Sequence, residues 1–184
     1  MLRPTKTEIN EAIVDQAAGL FAKYEFARTS IQQIADAVGY SKAGLLHHFP
    51  SKQAIYDAAI RTISDHLRQI VKQAERLRPG MDRDEAVVEA SVDFAYRKPG
   101  ISALSNRMAL SPDPSDKHWA AIGLLLFEAL GNDPDSVDTD RLIRVSCAFT
   151  GLGIATSLAV NSGRMDEWRG AIIATTMNAL GHKL

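Results

Sequence analysis

The segment from Thr29 to Lys52 constrains the fold most, because it encodes two short helices separated by a tight turn. Apolar residues at three- and four-residue spacing give the first helix a buried face, namely Ile31, Ile34, Ala35 and Val38. Thr29 or Ser30 can cap its start, since a glutamine follows each of them at the capping-box spacing. Gly39 can end the helix in the left-handed conformation that glycine adopts without steric cost.

The second helix of this segment has two different sides. Ser41 caps its start, and Leu45 and Phe49 lie four residues apart, so both can pack back onto the first helix. Pro50 ends it, because the residue before a proline is displaced from the helical region. The opposite side carries Lys42, Ala43, Leu46 and His47. The pattern indicates a helix-turn-helix unit with one free face.

Two lysines stand where a helix disfavours them. Ser41-Lys42 and Ser51-Lys52 each place a lysine directly after a cap, where the helix dipole opposes a cation by about 0.3–1 kcal/mol. An external phosphate, held by the free backbone N–H groups and the ammonium together, would explain the placement. A solvated surface lysine is the alternative at either position. Two such lysines in one unit favour phosphate, and therefore DNA.

The N-terminal stretch resembles TetR-type transcriptional repressors over about the first 55 residues. The matching residues are Ile13, Phe21, Phe26, Thr29, Ser30, Ile34, Ala35, Gly39, Ser41, Lys42, Leu45, His48, Phe49, Ser51 and Lys52. Many members carry a tyrosine where this chain has Leu46, so apolar contact, for example with a thymine methyl group, must replace a phenol there. The fold expected is all-α, with a three-helix helix-turn-helix head and a larger helical domain for effector binding and dimerisation.

The function expected is that of a homodimeric repressor released from its DNA operator by a small molecule. Its two recognition helices would enter successive major grooves of a pseudo-palindromic double-stranded operator. We expect Ser41, Lys42, Lys52 and Thr29 or Ser30 to hold phosphates. The residues expected to face base edges are Ala43, Gly44, Leu46 and His47.

Helical patterns continue through the rest of the chain. The first helix is predicted from Thr5 to Tyr24, and the DNA-binding domain covers residues 1–50. A long helix over residues 52–78, roughly 40 Å at 1.5 Å per residue, would connect it to a domain spanning 51–184. Further segments bring the expected total to about nine helices, at 83–97, 100–110, 116–131, 139–161 and 166–182. No strand pattern is present.

Two sets of residues in the larger domain are candidates for binding. The first set could line a ligand cavity, although a plain hydrophobic core would explain the same residues: Phe94, Leu104, Met108, Trp119, Ile122, Leu126 and Phe149. The second set forms a small-residue stripe that would pair with its copy in a four-helix bundle, the alternative being a helix buried within a monomer: Ala148, Gly151, Ala155, Ala159, Ala171, Ala174, Thr175 and Asn178.

The uncharged span over residues 145–163 is long enough to cross a membrane. Its serines, threonines, asparagine and glycines make it too polar for confident insertion, so a partner helix explains it better and no membrane contact is expected. The amino terminus has no apolar signal region, which favours the cytoplasm.

Composition and motifs bound the remaining possibilities. The net charge is −1, and six basic residues balance six acidic ones in the first 60 positions, so non-specific DNA affinity should be modest. The single cysteine, Cys147, excludes an internal disulfide and a thiolate zinc cluster. No cofactor, metal site or enzyme motif is found in the sequence. Two other classes stay open: a helical binding module that has lost DNA binding, which Leu46 would favour, and an unrecognised enzyme.

Overall fold

The computed structural model describes residues 3–110, 117–133 and 136–182, without the side chains of Lys117 and Trp119. These residues form nine α-helices and no strand, as the sequence predicts. The helices are α1 Lys6–Tyr24, α2 Ile31–Ala37, α3 Lys42–His48, α4 Lys52–Ala74, α5 Met81–Arg97, α6 Pro99–Leu110, α7 Lys117–Ala129, α8 Thr139–Ser162 and α9 Met165–Leu180.

Side-chain caps set the starts of the first three helices, which we call the head. Thr5 and Glu8 form a capping box at α1, with the Glu8 amide donating to Thr5 Oγ1 at 3.2 Å and the Thr5 amide donating to Glu8 Oε2 at 2.7 Å. Ser30 caps α2 in the same way, with Gln33 as its partner. Ser41 caps α3 by accepting from the Gly44 amide. Of the two caps that the sequence allowed for α2, the structure uses Ser30.

The turn between α2 and α3 depends on Gly39. Its φ of 72° lies in the left-handed region, where a side chain would be strained. The Tyr40 amide then donates to the carbonyl oxygen of Ala35 at 2.9 Å, which closes the end of α2. The turn predicted at Gly39 is confirmed.

The head is attached to α4 through three aromatic rings. Phe21 of α1, Phe26 of the following turn and Tyr56 of α4 have ring centroids 5.1–5.7 Å apart. Edge and tilted contacts of this kind stabilise a cluster beyond the area it buries. The head is therefore fixed to the N-terminal end of α4.

The connecting helix is shorter than predicted. It ends at Ala74 rather than Arg78, because the chain tightens into a turn in which the Leu77 amide donates to the Ala74 carbonyl oxygen. At 1.5 Å per residue it is about 35 Å long. Its buried face packs against α7.

The other main pairings are α1 with α6, α8 with α9, and α5 with α9. By length and composition alone, α8 could cross a membrane, and it is the only described helix that meets this test. Only 33% of its most apolar stretch is buried in the chain, so much of an apolar helix faces outward.

Candidate DNA-contacting face and internal cavity

The recognition helix α3 has one buried side and one free side. Leu45 is fully buried, and Phe49 packs against the same core. Lys42, Ala43 and His47 are exposed, and Leu46 keeps 37% of its surface accessible. Leu45 and Phe49 form a buried seam, which directs the outer side of α3 away from the chain, as the sequence predicts.

A side-chain contact between His48 and Asn10 fixes α3 against α1. His48 Nδ1 lies 2.8 Å from Asn10 Oδ1, and the His48 ring meets the edge of Tyr40 at 5.3 Å. His47 is exposed beside His48, with ring centroids 6.0 Å apart. The two adjacent histidines thus have separate environments: His48 positions the helix, and His47 is free to meet a partner.

Two residues predicted to hold phosphate do not face outward. Thr29 is buried, and its hydroxyl donates to the carbonyl oxygen of Glu25 at 2.8 Å. Lys52 Nζ donates to the carbonyl oxygens of Phe26 and Thr29 at 2.7 and 2.8 Å, and lies 4.3 Å from the Phe26 ring centroid. Both side chains are engaged inside the protein, so the phosphate role predicted for them is wrong in this structure. Ser30, Ser41, Lys42 and Gly44 remain at or near the surface of the head.

A cavity of about 290 Å³ lies among helices α4 to α8. Four of the predicted residues line it: Phe94, Ile122, Leu126 and Phe149. Leu104 and Met108 are buried but are not part of the wall, because they pack into the core instead. The Trp119 side chain is outside the described residues.

His66 of α4 also lines the cavity, and it was not among the residues predicted from the sequence to do so. Its ring stacks on Phe94, with centroids 3.9 Å apart and planes 9° from parallel. Burial lowers the pKa of His66 to about 4, and the positive charge of the nearby Arg97 lowers this pKa further. A hydrogen bond to the Ala90 backbone acts in the opposite direction. The imidazole is therefore neutral at neutral pH.

The predicted small-residue stripe divides between two environments. Ala159 is buried within the chain, and Ala148 is buried at the floor of a shallow groove between α8 and α9. Gly151, Ala171, Thr175 and Asn178 are exposed, and Ala155 and Ala174 are half-buried. The outer side of α8 also exposes larger apolar residues that the sequence analysis did not single out, namely Ile143, Ile154 and Leu158.

Among residues 3–110, 117–133 and 136–182, no group of three or more His, Cys, Asp and Glu side chains could hold a metal ion. Cys147 is exposed, although it lies in an apolar stretch of the sequence.

An all-helical chain with a capped helix-turn-helix and an outward recognition helix defines a class, the helix-turn-helix DNA-binding regulators. Residues 13–59 match the family model described as bacterial regulatory proteins, tetR family. The helix-turn-helix head, with the start of α4, is therefore similar to the DNA-binding domain of the tetR family.

Curated relatives match different lengths of the chain. It is 29% identical to the nucleoid occlusion factor SlmA of Alteromonas mediterranea over 76% of this chain and 71% of that protein. It is 44% identical to the HTH-type transcriptional regulator RutR of Escherichia coli, over 30% of this chain and 26% of RutR. The HTH-type transcriptional repressor KstR2 of Rhodococcus jostii is 35% identical over 59% of this chain and 50% of its own length. The matches to RutR and KstR2 thus span half or less of those proteins.

Solved structures support the fold over most of the chain. A TetR-family regulator from Bordetella parapertussis aligns with a TM-score of 0.62 at 21% identity, over 91% of this chain and 93% of that one. PfmR from Thermus thermophilus aligns with a TM-score of 0.55 at 22% identity, over 92% and 97%. At these identities the similarity concerns the fold alone.

Proposed function

We propose that the protein is a sequence-specific, DNA-binding transcriptional repressor that acts as a homodimer and leaves its operator when a small molecule fills the cavity. The observation that carries the proposal is the outer side of α3, where Lys42, Ala43, Leu46 and His47 are exposed on a helix held by a buried seam. A helix presented in this way fits the major groove of DNA.

The contacts of this face divide by chemistry. Ser41, Lys42 and the backbone amides at the start of α3 suit a phosphate oxygen. Ala43, Leu46 and His47 lie where base edges would be, and Leu46 suits a thymine methyl group. Ser30 is exposed at the start of α2 and can reach a second phosphate. Lys42 is the one lysine of each head that we assign to a phosphate contact, so the salt dependence of DNA binding should be shallow.

Two helices connect the cavity to the head. Helix α4 lines the cavity with Ile63, His66 and Leu67 and begins at the Lys52 contacts to the head. Helix α6 lines the cavity with Ser105 and Asn106 and packs along α1. A ligand that displaced either helix would therefore shift the head. The ligand must prefer the non-binding state, and a full 1:99 to 99:1 shift requires about 5.5 kcal/mol of preference.

The dimer is supported by the outward face of α8 and α9. A shallow groove between the two helices is lined by small residues, including Gly151, Ala155, Ala171 and Thr175. Small side chains let another helix approach closely, and the exposed Ile154 and Leu158 would become buried. Two copies related by a two-fold axis would form a four-helix bundle.

The test of the DNA-contacting face is a pair of substitutions on α3. We expect Lys42→Ala to weaken binding to all DNA sequences and to flatten the dependence of log affinity on log salt by about 0.9 per protomer. We expect His47→Ala to change which sequences are preferred. Fluorescence anisotropy on an operator and on scrambled DNA, over a range of salt concentrations, measures both effects. If Lys42→Ala altered sequence choice alone, the assignment of roles would be wrong.

A further inference from the structure

The described wall of the cavity carries no fixed charge. Its lining residues are aliphatic, aromatic, hydroxyl or amide side chains together with glycines, and none of the described ones is Lys, Arg, Asp or Glu. An ion brought into such a site loses its hydration without gaining a counter-charge, which is unfavourable. The wall therefore disfavours ligands of either sign.

His66 is the one titratable group among these lining residues, and it does not supply a charge. The flat stack on Phe94 fixes the ring, and its Nε2 atom is enclosed without a hydrogen-bond partner. The charged group acting on it most strongly is Arg97, whose positive charge opposes protonation. A cationic imidazole that could attract a carboxylate is therefore absent at neutral pH.

Several polar groups of the wall have already donated their hydrogens to the protein. Ser91 and Ser146 donate to carbonyl oxygens of their own helices at 2.7 and 2.8 Å. Asn106 Nδ2 donates to the Gly153 carbonyl oxygen at 2.9 Å. The two serines have no second hydrogen to donate to an anion, and the Asn106 amide also lies 3.4 Å from Ser157 Oγ as a second acceptor. The oxygen lone pairs of these groups remain available to a neutral hydroxyl group.

We propose that the cavity binds a compact, uncharged and largely apolar molecule, and that it rejects carboxylates, phosphates and ammonium ions of the same size. This inference rests on the proposed ligand-responsive function and specifies the chemistry of its ligand. The volume of about 290 Å³ lies at the lower end for ligand pockets, and the rings of Phe94, Phe127 and Phe149 favour a flat apolar body.

Three probes with the same ring system test the charge preference: 2-naphthol, 2-naphthoate and 2-naphthylmethylammonium. Isothermal titration calorimetry on the full chain at pH 7, without DNA, gives their affinities. We expect 2-naphthol to bind at least about tenfold more tightly than either ion, which corresponds to about 1.4 kcal/mol. Binding of either ion as tightly as 2-naphthol, or no binding of 2-naphthol, would overturn the proposal.

A cavity-filling variant tests where the probe binds. Gly123 lines the cavity, and a Cβ atom at this position meets no heavy atom within 4 Å, so Gly123→Leu can fold while it occupies cavity space. Gly170→Leu is the matched control, because Gly170 is equally open but is exposed on α9, away from the cavity. We expect at least a tenfold loss of 2-naphthol affinity in the first variant and none in the second.

Unchanged 2-naphthol binding in Gly123→Leu would refute the cavity as the site. DNA is absent from these titrations, so their failure leaves the proposed DNA binding intact. Conversely, if the protein failed to bind DNA, the affinities of the three probes could still be measured and would still test the cavity.

Discussion

Lys42 and Lys52 occupy the same local sequence context and have different surroundings. Each follows a serine cap, so helix-dipole reasoning treats them alike. The turn after α1 brings the carbonyl oxygens of Phe26 and Thr29 to Lys52, whereas the Lys42 side chain remains exposed. The difference arises from residues more than 20 positions away, which no local pattern specifies.

Replacing each of these lysines by methionine separates their roles. Hydrogen bonds to a charged group contribute about 1.5–3 kcal/mol each, so Lys52→Met should lower the free energy of unfolding by about 2 kcal/mol or more. It should leave the salt dependence of DNA binding unchanged. Lys42→Met should do the reverse, with a stability change within about 0.5 kcal/mol. Urea unfolding and salt titrations of DNA binding measure both quantities. A flatter salt dependence in Lys52→Met would restore the phosphate role for that residue.

The predicted cavity residues show that apolar spacing identifies buried positions but not the positions that line a cavity. Phe94, Leu104 and Met108 all fit a buried helical face, and all three are at least partly buried. Periodicity predicts burial but not whether the neighbouring space is filled, so it could not separate Phe94 at the cavity from Leu104 and Met108 in the core. His66 was missed because it lies beside the apolar stripe of α4 and is itself polar.

At the scale of elements, the start of α6 depends on a residue in α1. The Asp15 carboxylate accepts a hydrogen bond from the Ile101 amide at 3.0 Å, so a side chain of the head caps a helix of the larger domain. Gly100 lies against the backbone of α1, where a Cβ atom would clash with the Asp15 carbonyl group. Burial raises the pKa of Asp15, although the amides of Ile101 and Gly100 and the charge of Lys98 oppose the rise. This contact between α1 and the start of α6 fixes α6, and with it part of the cavity wall, against the head.

The cap can be tested with two substitutions at Asp15. Loss of a capping side chain costs about 0.5–2 kcal/mol, so Asp15→Ala should lower the free energy of unfolding by about 1 kcal/mol. Asp15→Asn keeps an acceptor oxygen and removes a buried charge, so its stability should lie closer to that of the unmodified protein. Equal stability of all three proteins in urea unfolding would show that the contact is not a cap.

Sequence patterns identified the individual helices better than their contacts. The caps at Thr5, Ser30 and Ser41 and the turn at Gly39 depend on neighbouring residues, and the structure contains each of them. The Asp15 cap joins residues 86 positions apart, and the contact of His48 with Asn10 joins residues 38 positions apart. Contacts at such separations depend on how the helices pack, which local spacing does not encode.

At the scale of the whole molecule, a second copy of the chain would both cover the exposed apolar side of α8 and supply the second recognition helix of the proposed operator complex. Two copies joined through α8 and α9 would bury Ile143, Ile154 and Leu158 and place two heads on one DNA molecule. The sequence predicted a pairing face here, but it could not separate the buried Ala159 from the residues of the same stripe that line the groove or are exposed. Their spacing along the helix is compatible with either side.

A charge placed on this face tests the dimer. Leu158 is 53% exposed in the chain and does not line the cavity, so Leu158→Glu should leave the fold intact while burying an unpaired charge in a dimer. Leu124→Glu is the matched control, since Leu124 is 53% exposed on α7. Size-exclusion chromatography with light scattering should give twice the chain mass of 20.1 kDa for the unmodified protein and the control, and a single chain mass for Leu158→Glu. An unmodified protein that runs as a single chain at micromolar concentration would exclude the dimer.

Selection of bound sites from a random double-stranded DNA pool shows whether the outer side of α3 reads DNA in two symmetric copies. If the two recognition helices lie one helical turn apart, we expect enrichment of an inverted repeat whose half-site centres are about 10–10.5 base pairs apart. We also expect that His47→Ala changes the enriched half-site while the repeat is kept. A pool that shows no enrichment over input, with the protein folded and dimeric, would contradict the proposed function and favour a helical module without DNA binding.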